Sequence, residues 1–261
     1  MTDPDPLRPD LAQAPPRTPE EARRQARRAL AKARWEAELD GPWPRARAWI
    51  NMLLVDHGVL RAVYLNLHPV GRTRPPRAWR AAQPLPGQIA RLARRHGLRS
   101  VVSLRGGVLF GSYPLEREVC ARLGLDFRRA VLRSRDLPSR EELRALIVLM
   151  REVETPVLFH CKSGADRAGL MSALWRIAME GASAGEAKTE LALRYGHLSR
   201  GPTGVLDAFL AAAAEAEAHG LPFERWVETE YDRDAIRKLH RGSGRAGGLA
   251  AWIVDRLLRR E

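Results

Sequence analysis

The sequence has little cysteine, little lysine and no long apolar run. Its two cysteines, Cys120 and Cys161, are too few for a disulfide framework, which favours a reducing compartment. The start of the chain is rich in proline and acidic residues, so it does not indicate a secretory signal. The most apolar stretch, residues 49–67, is interrupted by polar and charged residues and makes a poor membrane span. We therefore expect a cytoplasmic protein without an integral membrane segment.

The charge of the chain is strongly positive, but its distribution does not favour a nucleic-acid partner. The formal net charge is +13, and four of the 44 lysines and arginines are lysine. The arginines are scattered through the chain, without interleaved aromatic residues or a recognisable DNA- or RNA-binding module. An anionic substrate or an acidic surface suits this charge better than a nucleic acid does.

The residue pattern divides the chain into three parts. Residues 1–40 combine many prolines with an Arg/Ala/Glu run, which predicts a disordered lead-in followed by a solvated basic helix. Residues 43–231 alternate strand and helix patterns, which is typical of an α/β domain with a mainly parallel sheet flanked by helices. Residues 232–261 predict a basic tail with a glycine-rich hinge and a short amphipathic helix at 252–260.

Apolar runs and capping residues locate the elements of the middle part. Ser139 is a good N-cap with two acidic residues in the following turn, and Gly97 and Gly124 are good helix ends. Strands are predicted at 100–104, 126–132 and 156–160. Helices are predicted at 87–96, 116–123, 140–153, 165–180, 185–195, 204–219 and 223–231.

One strand–loop–helix unit carries residues suited to phosphate chemistry. Its loop reads His160-Cys161-Lys162-Ser163-Gly164-Ala165-Asp166-Arg167. A loop of this kind can wrap backbone N–H groups around a phosphate, and the positive end of the following helix favours a cysteine thiolate. A thiolate at Cys161 can attack phosphorus, and the planar fork of Arg167 can hold two phosphoryl oxygens. The intervening residues Lys162, Ser163, Gly164, Ala165 and Asp166 are predicted to bind the phosphate.

The loop resembles the HCxxGxxR signature of the protein tyrosine and dual-specificity phosphatase superfamily. Residues 80–84 (RAAQP) and 97–106 (GLRSVVSLRG) are similar to a second pattern of the atypical dual-specificity phosphatases. The resemblance covers roughly residues 60–200 and implies a four- or five-stranded, mainly parallel sheet. It also implies two-step hydrolysis of phosphomonoesters with no metal or cofactor. The implied substrate is a phosphorylated protein or a phosphorylated small molecule, and His160 is expected to support the loop from behind.

The mechanism of that superfamily needs a general acid, and three aspartates are candidates. In the family the acid is an aspartate on a loop upstream of the cysteine, and Asp136 is the best match because it lies between a predicted strand and a predicted helix. Asp126 has a more typical separation from Cys161 but falls inside a predicted strand. Asp166 is the third candidate, since lipid phosphatases of the myotubularin type carry an aspartate just before the loop arginine.

One departure from the family pattern leaves a second function open. The family has serine or threonine after the loop arginine, where its hydroxyl helps the thiolate leave, whereas this chain has Ala168. A pseudophosphatase that binds phosphorylated partners without turning them over is therefore the alternative to an enzyme. A rhodanese or arsenate reductase fits less well, because of the histidine before Cys161 and the upstream stretches. The oligomeric state cannot be predicted from this pattern.

Overall fold

The structure is a computed structural model that describes residues 18–106 and 109–242. The expected lead-in before residue 18 and the expected helix at 252–260 lie outside these residues. The strands are β1 (His68–Pro69), β2 (Ala78–Ala82), β3 (Ser100–Ser103), β4 (Asp126–Arg129) and β5 (Val157–Cys161). The helices are α1 (Pro19–Glu36), α2 (Pro42–Ile50), α3 (Gly58–Val63), α4 (Pro86–His96), α5 (Ser112–Leu123), α6 (Arg140–Glu152), α7 (Asp166–Glu180), α8 (Ala184–Ala187), α9 (Val205–Ala218), α10 (Phe223–Thr229) and α11 (Arg233–Gly242). A π-helical segment, Asn51–Val55, joins α2 to α3.

The strands form one mainly parallel sheet, as predicted. Their order is β1-β2-β5-β3-β4, and only the β1–β2 pair is antiparallel. The central strand β5 is buried along its whole length. In a parallel sheet the carboxyl ends of the strands meet at one edge, where such folds bind ligands. Cys161, at the end of β5, therefore lies at that edge, level with Ala82 on β2.

Strands β1 and β2 were not predicted from the sequence. Strand β1 has two residues, too few to give a pattern. Strand β2 carries Arg80 at its centre, and a charged residue inside a short run argues against a buried strand. Arg80 is nevertheless fully buried, because several acceptors surround its guanidinium.

The single helix predicted at 185–195 is wrong. The segment instead forms α8 and two 3₁₀ turns, Lys188–Glu190 and Leu193–Tyr195. Two buried arginines bind carbonyl oxygens of this segment: Arg176 donates to Glu186 O at 2.8 Å, and Arg80 donates to Glu190 O at 2.7 Å. These long-range hydrogen bonds use carbonyls that a continuous helix would need for its own ladder.

The larger hydrophobic core lies between the sheet and the helices α6, α7, α9 and α10. At its outer side the ring of Phe209 lies 5.4 to 6.2 Å from the rings of Tyr231, Trp226 and Phe223. Ile236 of α11 joins the same cluster, so part of the segment expected to be a basic tail packs on the core. Within residues 18–106 and 109–242, no helix is long and apolar enough to cross a bilayer.

Replacing Phe209 with alanine tests this aromatic cluster. Phe209 is fully buried, so Phe209→Ala removes its transfer free energy and leaves a cavity. We expect a loss of about 3–5 kcal/mol in the free energy of unfolding, measured by urea titration. The control Leu193→Ala, at a position that is 74 % exposed, should change it little. An equal effect of both substitutions would contradict the packing described.

Candidate active site

The loop of residues 160–167, called the phosphate loop below, joins the end of the central strand to a long buried helix. Cys161 is the last residue of β5 and is 2 % exposed, and α7 begins at Asp166. The backbone N–H of Gly164 donates a hydrogen bond to Cys161 Sγ across the turn, with an N···S distance of 3.2 Å. The sulfur therefore faces the backbone of the loop that follows it.

Gly164 is the loop position at which no other residue fits. Its φ is +74°, in the left-handed region. A Cβ built on it would lie 2.6 Å from Ala82 N and 2.7 Å from Ala81 C, both backbone atoms of β2. The loop can approach the neighbouring strand this closely because residue 164 has no side chain.

Three loop carbonyls are bound on the outer side of the turn. Asn66 Nδ2 donates to Ser163 O at 2.9 Å. Arg80 Nη2 donates to Gly164 O at 2.9 Å and to Ala165 O at 2.8 Å. In a trans peptide the N–H points opposite to the C=O of the same peptide unit. The N–H groups that follow these carbonyls are therefore turned toward the inside of the loop, where an anion can accept from them.

Arg80 is itself fixed by several partners. Its Nη1 donates to Glu190 O at 2.7 Å and to Glu190 Oε2 at 3.1 Å, and its guanidinium carbon lies 4.0 Å from the centre of the Tyr195 ring. Burial lowers the pKa of the Arg80 guanidinium, and the Glu190 carboxylate opposes this effect. Asn66 also donates to Tyr195 O at 2.9 Å. The sequence analysis gave neither Asn66 nor Arg80 a role, although Arg80 lies in the upstream stretch that carried the resemblance.

Arg167 lies in the first turn of α7, six residues after the cysteine. Its side chain is buried, with 6 % exposed. It is not a partner in the Arg80–Glu190 ion pair or in the Arg105–Asp56 ion pair. A guanidinium can bind two oxygens of a phosphoryl group, which is the role predicted for Arg167 from the sequence. Lys162, on the other side of the loop, lies with Nζ 5.9 Å from the centre of the Phe110 ring.

His160, the residue before Cys161, is fully buried in the core. Its Nε2 lies 2.6 Å from Glu116 Oε1, although the angle between the groups is not that of an aligned hydrogen bond. The other oxygen of Glu116 accepts from Gln83 Nε2 at 2.7 Å, and Gln83 Oε1 accepts from Arg105 Nη1 at 2.5 Å. A buried polar chain thus runs from the residue before the cysteine to Arg105.

This chain ends on a buried carboxylate, Asp56. Arg105 donates two hydrogen bonds to it, at 2.7 and 3.0 Å, Arg61 donates a third at 3.0 Å, and the Ser112 hydroxyl donates a fourth. Burial acts to raise the pKa of Asp56, but the charges of Arg105 and Arg61 and the hydrogen bonds outweigh it and lower the pKa to about 2. Gln83 and Arg105, from the two upstream stretches, therefore brace the loop through this network.

The three aspartates considered as the general acid occupy different environments. Asp126 is level with Ser100 on β3, which is level with Val157 on β5. Cys161 is four residues further along β5, or about 13 Å at the rise of a parallel strand. The expectation that Asp126 could act on the substrate is therefore wrong, because it lies at the opposite end of the sheet from the loop.

Asp136 lies between β4 and α6, with its side chain 20 % exposed. Arg233 Nη2 lies 2.7 Å from its Oδ2, and Arg237 Nε lies 3.2 Å from its Oδ1. Both ion pairs require the ionised carboxylate. Both carboxylate oxygens of Asp136 are thus held by arginines of α11.

Asp166 is bound within a buried Asp–His–Asp chain. Its Oδ1 lies 2.8 Å from His197 Nδ1, and His197 Nε2 lies 2.7 Å from Asp207 Oδ2. Burial acts to lower the pKa of His197, but the hydrogen bonds and charges of the two aspartates outweigh it and raise the pKa above the usual value. A protonated His197 can donate to both carboxylates, which ties the start of α7 to α9.

The second cysteine lies outside this site. Cys120 is fully buried on α5, where burial and the charge of Glu116 raise the pKa of its thiol, so its thiolate form is disfavoured. Within the described residues, His, Cys, Asp and Glu side chains do not form a group of three or more that could hold a metal ion.

Substituting Asp56 tests the buried network through the pH dependence of stability. Because the pKa of Asp56 is depressed in the folded state, its contribution is present above about pH 4 and is lost as the pH falls toward 2. The shift corresponds to about 2 kcal/mol. We expect Asp56→Asn to lower the free energy of unfolding near neutral pH and to flatten its fall between about pH 4 and pH 2. Parallel pH profiles for the two proteins would contradict the assignment.

Substituting Arg80 tests the outward anchoring of the loop carbonyls. Arg80→Lys keeps the charge but cannot bind Gly164 O, Ala165 O and Glu190 together. Losing even one charged hydrogen bond, worth about 1.5–3 kcal/mol, should weaken the binding of vanadate at least about tenfold, measured by calorimetry. The control Arg99→Lys, in an exposed ion pair with Glu154, should leave it unchanged. Unaltered vanadate binding in Arg80→Lys would show that the loop holds its shape without this anchor.

One family model and several solved structures are similar to this chain. Residues 70–200 match the model of a family described as DSP-PTPase phosphatase fused to NAD+ kinase. Among solved structures, TpbA of P. aeruginosa is similar to this chain at 20 % identity, covering 68 % of this chain and 91 % of that one, with a TM-score of 0.42. The core catalytic domain of the PP-IP phosphatase SIW14 from S. cerevisiae is 20 % identical, covering 70 % of this chain and 96 % of that one, with a TM-score of 0.41.

No curated protein sequence matches the chain. The family model spans half of the chain and includes the cysteine loop, strand β2 with Arg80, and both upstream stretches. The chain therefore belongs to the family of DSP-PTPase phosphatases described as fused to NAD+ kinase, and it is a hydrolase of the dual-specificity and tyrosine phosphatase type.

Proposed function

We propose that the chain hydrolyses phosphomonoesters through a phosphocysteine formed on Cys161. In the first step the Cys161 thiolate attacks phosphorus, the bond from phosphorus to the ester oxygen breaks, and Asp136 gives a proton to the leaving oxygen. Arg167 and the inward N–H groups of the loop hold the three non-bridging oxygens, on which negative charge is spread.

In the second step water attacks the phosphocysteine. Asp136, now ionised, takes a proton from this water, the P–S bond breaks, and inorganic phosphate leaves with the thiolate restored. The step consumes no oxidant and no co-reactant besides water. It requires the side chain of Asp136 to face the loop, which means exchanging its ion pairs with Arg233 and Arg237 for contact with the substrate.

The outward binding of the loop carbonyls is the observation that supports this proposal most strongly. Arg80 and Asn66 take three consecutive carbonyls, and the matching N–H groups are left to the side where Cys161 Sγ already accepts from Gly164. A ring of N–H donors around a sulfur, closed by an arginine, is suited to a tetrahedral oxyanion and to its trigonal-bipyramidal transition state.

The substrate class that we propose is a phosphorylated protein or a phosphorylated small molecule. The net charge of +13 and Lys162 beside the loop favour an anionic substrate of either kind. Two free thiols, Cys120 and Cys161, require a reducing environment to remain reduced, and we propose the cytoplasm as the compartment.

Hydrolysis of a generic aryl phosphate tests the nucleophile and the acid. We expect activity in the wild type under reducing conditions and none in Cys161→Ser. Asp136→Asn should lower kcat by about 10²–10⁴-fold, the usual contribution of a general acid. The matched control Cys120→Ser, at a buried thiol on helix α5, should keep its activity. If Asp136→Asn is fully active while Asp166→Asn is not, the acid is Asp166; if Cys161→Ser remains active, the proposed mechanism is wrong.

Restoring a hydroxyl after the loop arginine tests the second step. Ala168 is fully buried one residue after Arg167, so the chain lacks a hydroxyl at the position that helps the thiolate leave. We expect a burst of aryl alcohol in stopped-flow kinetics, because slow hydrolysis lets the phosphocysteine accumulate. Ala168→Ser should reduce the burst and raise kcat. The control Ala173→Ser, on the same helix and equally buried, should leave the burst unchanged. A wild type without a burst would contradict a slow second step.

A further inference from the structure

The exposed apolar side chains of the described residues are concentrated in one short segment. Eight of the twelve large ones lie between residues 43 and 64. We call these eight the apolar patch: Trp43, Ile50, Leu54, Val55, Val59, Leu60, Val63 and Tyr64. Each is more than half exposed, and Val63 and Trp43 are 90 % and 83 % exposed. Single exposed apolar residues are ordinary on a protein surface, but a cluster of this size marks an interaction site.

The helical segment behind the patch is apolar on both faces. Its inner face packs Ala48 and Met52 against Trp35 of α1 and Leu115 of α5. Its exposed side carries Trp43, Ile50, Leu54 and Val55 of the apolar patch together with Arg45 and Arg47. A helix in a water-soluble domain normally presents a polar outer face, so this segment has more apolar surface than the fold uses.

The exposed charges of the segment that carries the apolar patch are positive, while the exposed carboxylates Glu38 and Asp40 lie just before it in the chain. Asp56 is the one acidic residue between positions 42 and 64, and it is fully buried and bound by arginines. Arg47 is exposed within the segment. Helix α1, which packs on α2 through Trp35, adds a row of exposed arginines. They are Arg23, Arg24, Arg27, Arg28 and Arg34.

We propose that the apolar patch docks on the surface of an anionic phospholipid bilayer. A helix with exposed apolar and basic residues lies in the plane of a bilayer interface, where its apolar side chains enter the acyl boundary and its arginines meet anionic headgroups. Trp43 and Tyr64, at the two ends of the segment, are the residue types that prefer this interface. A second copy of the chain fits less well, because two such faces would oppose arginines with no exposed carboxylate of the segment to pair with them.

Docking of the apolar patch would bring the phosphate loop close to the bilayer. The Tyr64 hydroxyl donates to Asn66 Oδ1 at 3.2 Å, and Asn66 in turn donates to Ser163 O of the loop at 2.9 Å. Tyr64 of the apolar patch is thus connected to the phosphate loop through one side chain, that of Asn66. The proposal does not depend on the reaction, since it rests on exposure and charge alone.

Vesicle co-sedimentation of the full chain tests this proposal. The probes are vesicles of phosphatidylcholine alone and of phosphatidylcholine mixed with phosphatidylglycerol. We expect sedimentation with the anionic vesicles, weaker sedimentation with the neutral ones, and release by high salt. The double variant Leu54→Asp, Val63→Asp should bind at least about tenfold more weakly, because it places charges in the acyl boundary. The matched control is Leu193→Asp, Leu239→Asp, at positions that are 74 % and 75 % exposed outside the patch, and it should bind like the wild type.

Four results would overturn the proposal. The first is no sedimentation of the wild type with anionic vesicles, and the second is an equal loss in both double variants. The third is a wild-type dimer that Leu54→Asp, Val63→Asp converts to a monomer in light scattering, which would assign the patch to self-association. The fourth is a lower Tm in that variant but not in the control, which would mean that the chain itself covers the patch. Aryl phosphatase activity in vesicle-free buffer, equal in all three proteins, confirms that each is folded.

Discussion

The buried guanidinium of Arg80 holds the phosphate loop in the shape that its chemistry needs. A fully buried charge is costly unless it is paired and hydrogen-bonded, and here both terminal nitrogens of Arg80 are bound by Glu190 and two loop carbonyls. The loop carbonyls face the arginine, so the loop N–H groups face the opposite side. The same arrangement that stabilises a cation inside the protein therefore creates a site for an anion at its surface.

A second buried arginine acts on the other side of the loop. Arg105 is held by Asp56, and the polar chain through Gln83 and Glu116 reaches His160, next to the nucleophile. Cys161 thus lies between two buried polar systems, one around Arg80 and one around Arg105 and Asp56. Such systems lose much of their stabilisation when one member is removed, because the remaining charge is left buried without a partner.

The mainly parallel sheet and the strand–loop–helix unit were predicted from the sequence because both leave local signals. The apolar strand at 156–160 and the glycine of the loop can each be recognised from the residues directly around them. The anchoring residues leave no such signal, because Arg80 and Asn66 bind a loop roughly a hundred residues away in the sequence. A single arginine is also hard to recognise as special in a chain that is rich in arginine. Glu190 was placed inside a predicted helix for the same reason, since its carbonyl is taken by a distant side chain. The rejection of Asp126 needed the register of the sheet, which the sequence does not contain.

Trapping the covalent intermediate tests the central claim most directly. The protein is mixed with an aryl phosphate, quenched in acid within the first turnover, and digested for mass spectrometry. We predict a peptide containing Cys161 that carries the mass of one phosphoryl group, absent from Cys161→Ser treated in the same way. Turnover of the substrate with a phosphoryl group on another residue, or on none, would contradict it.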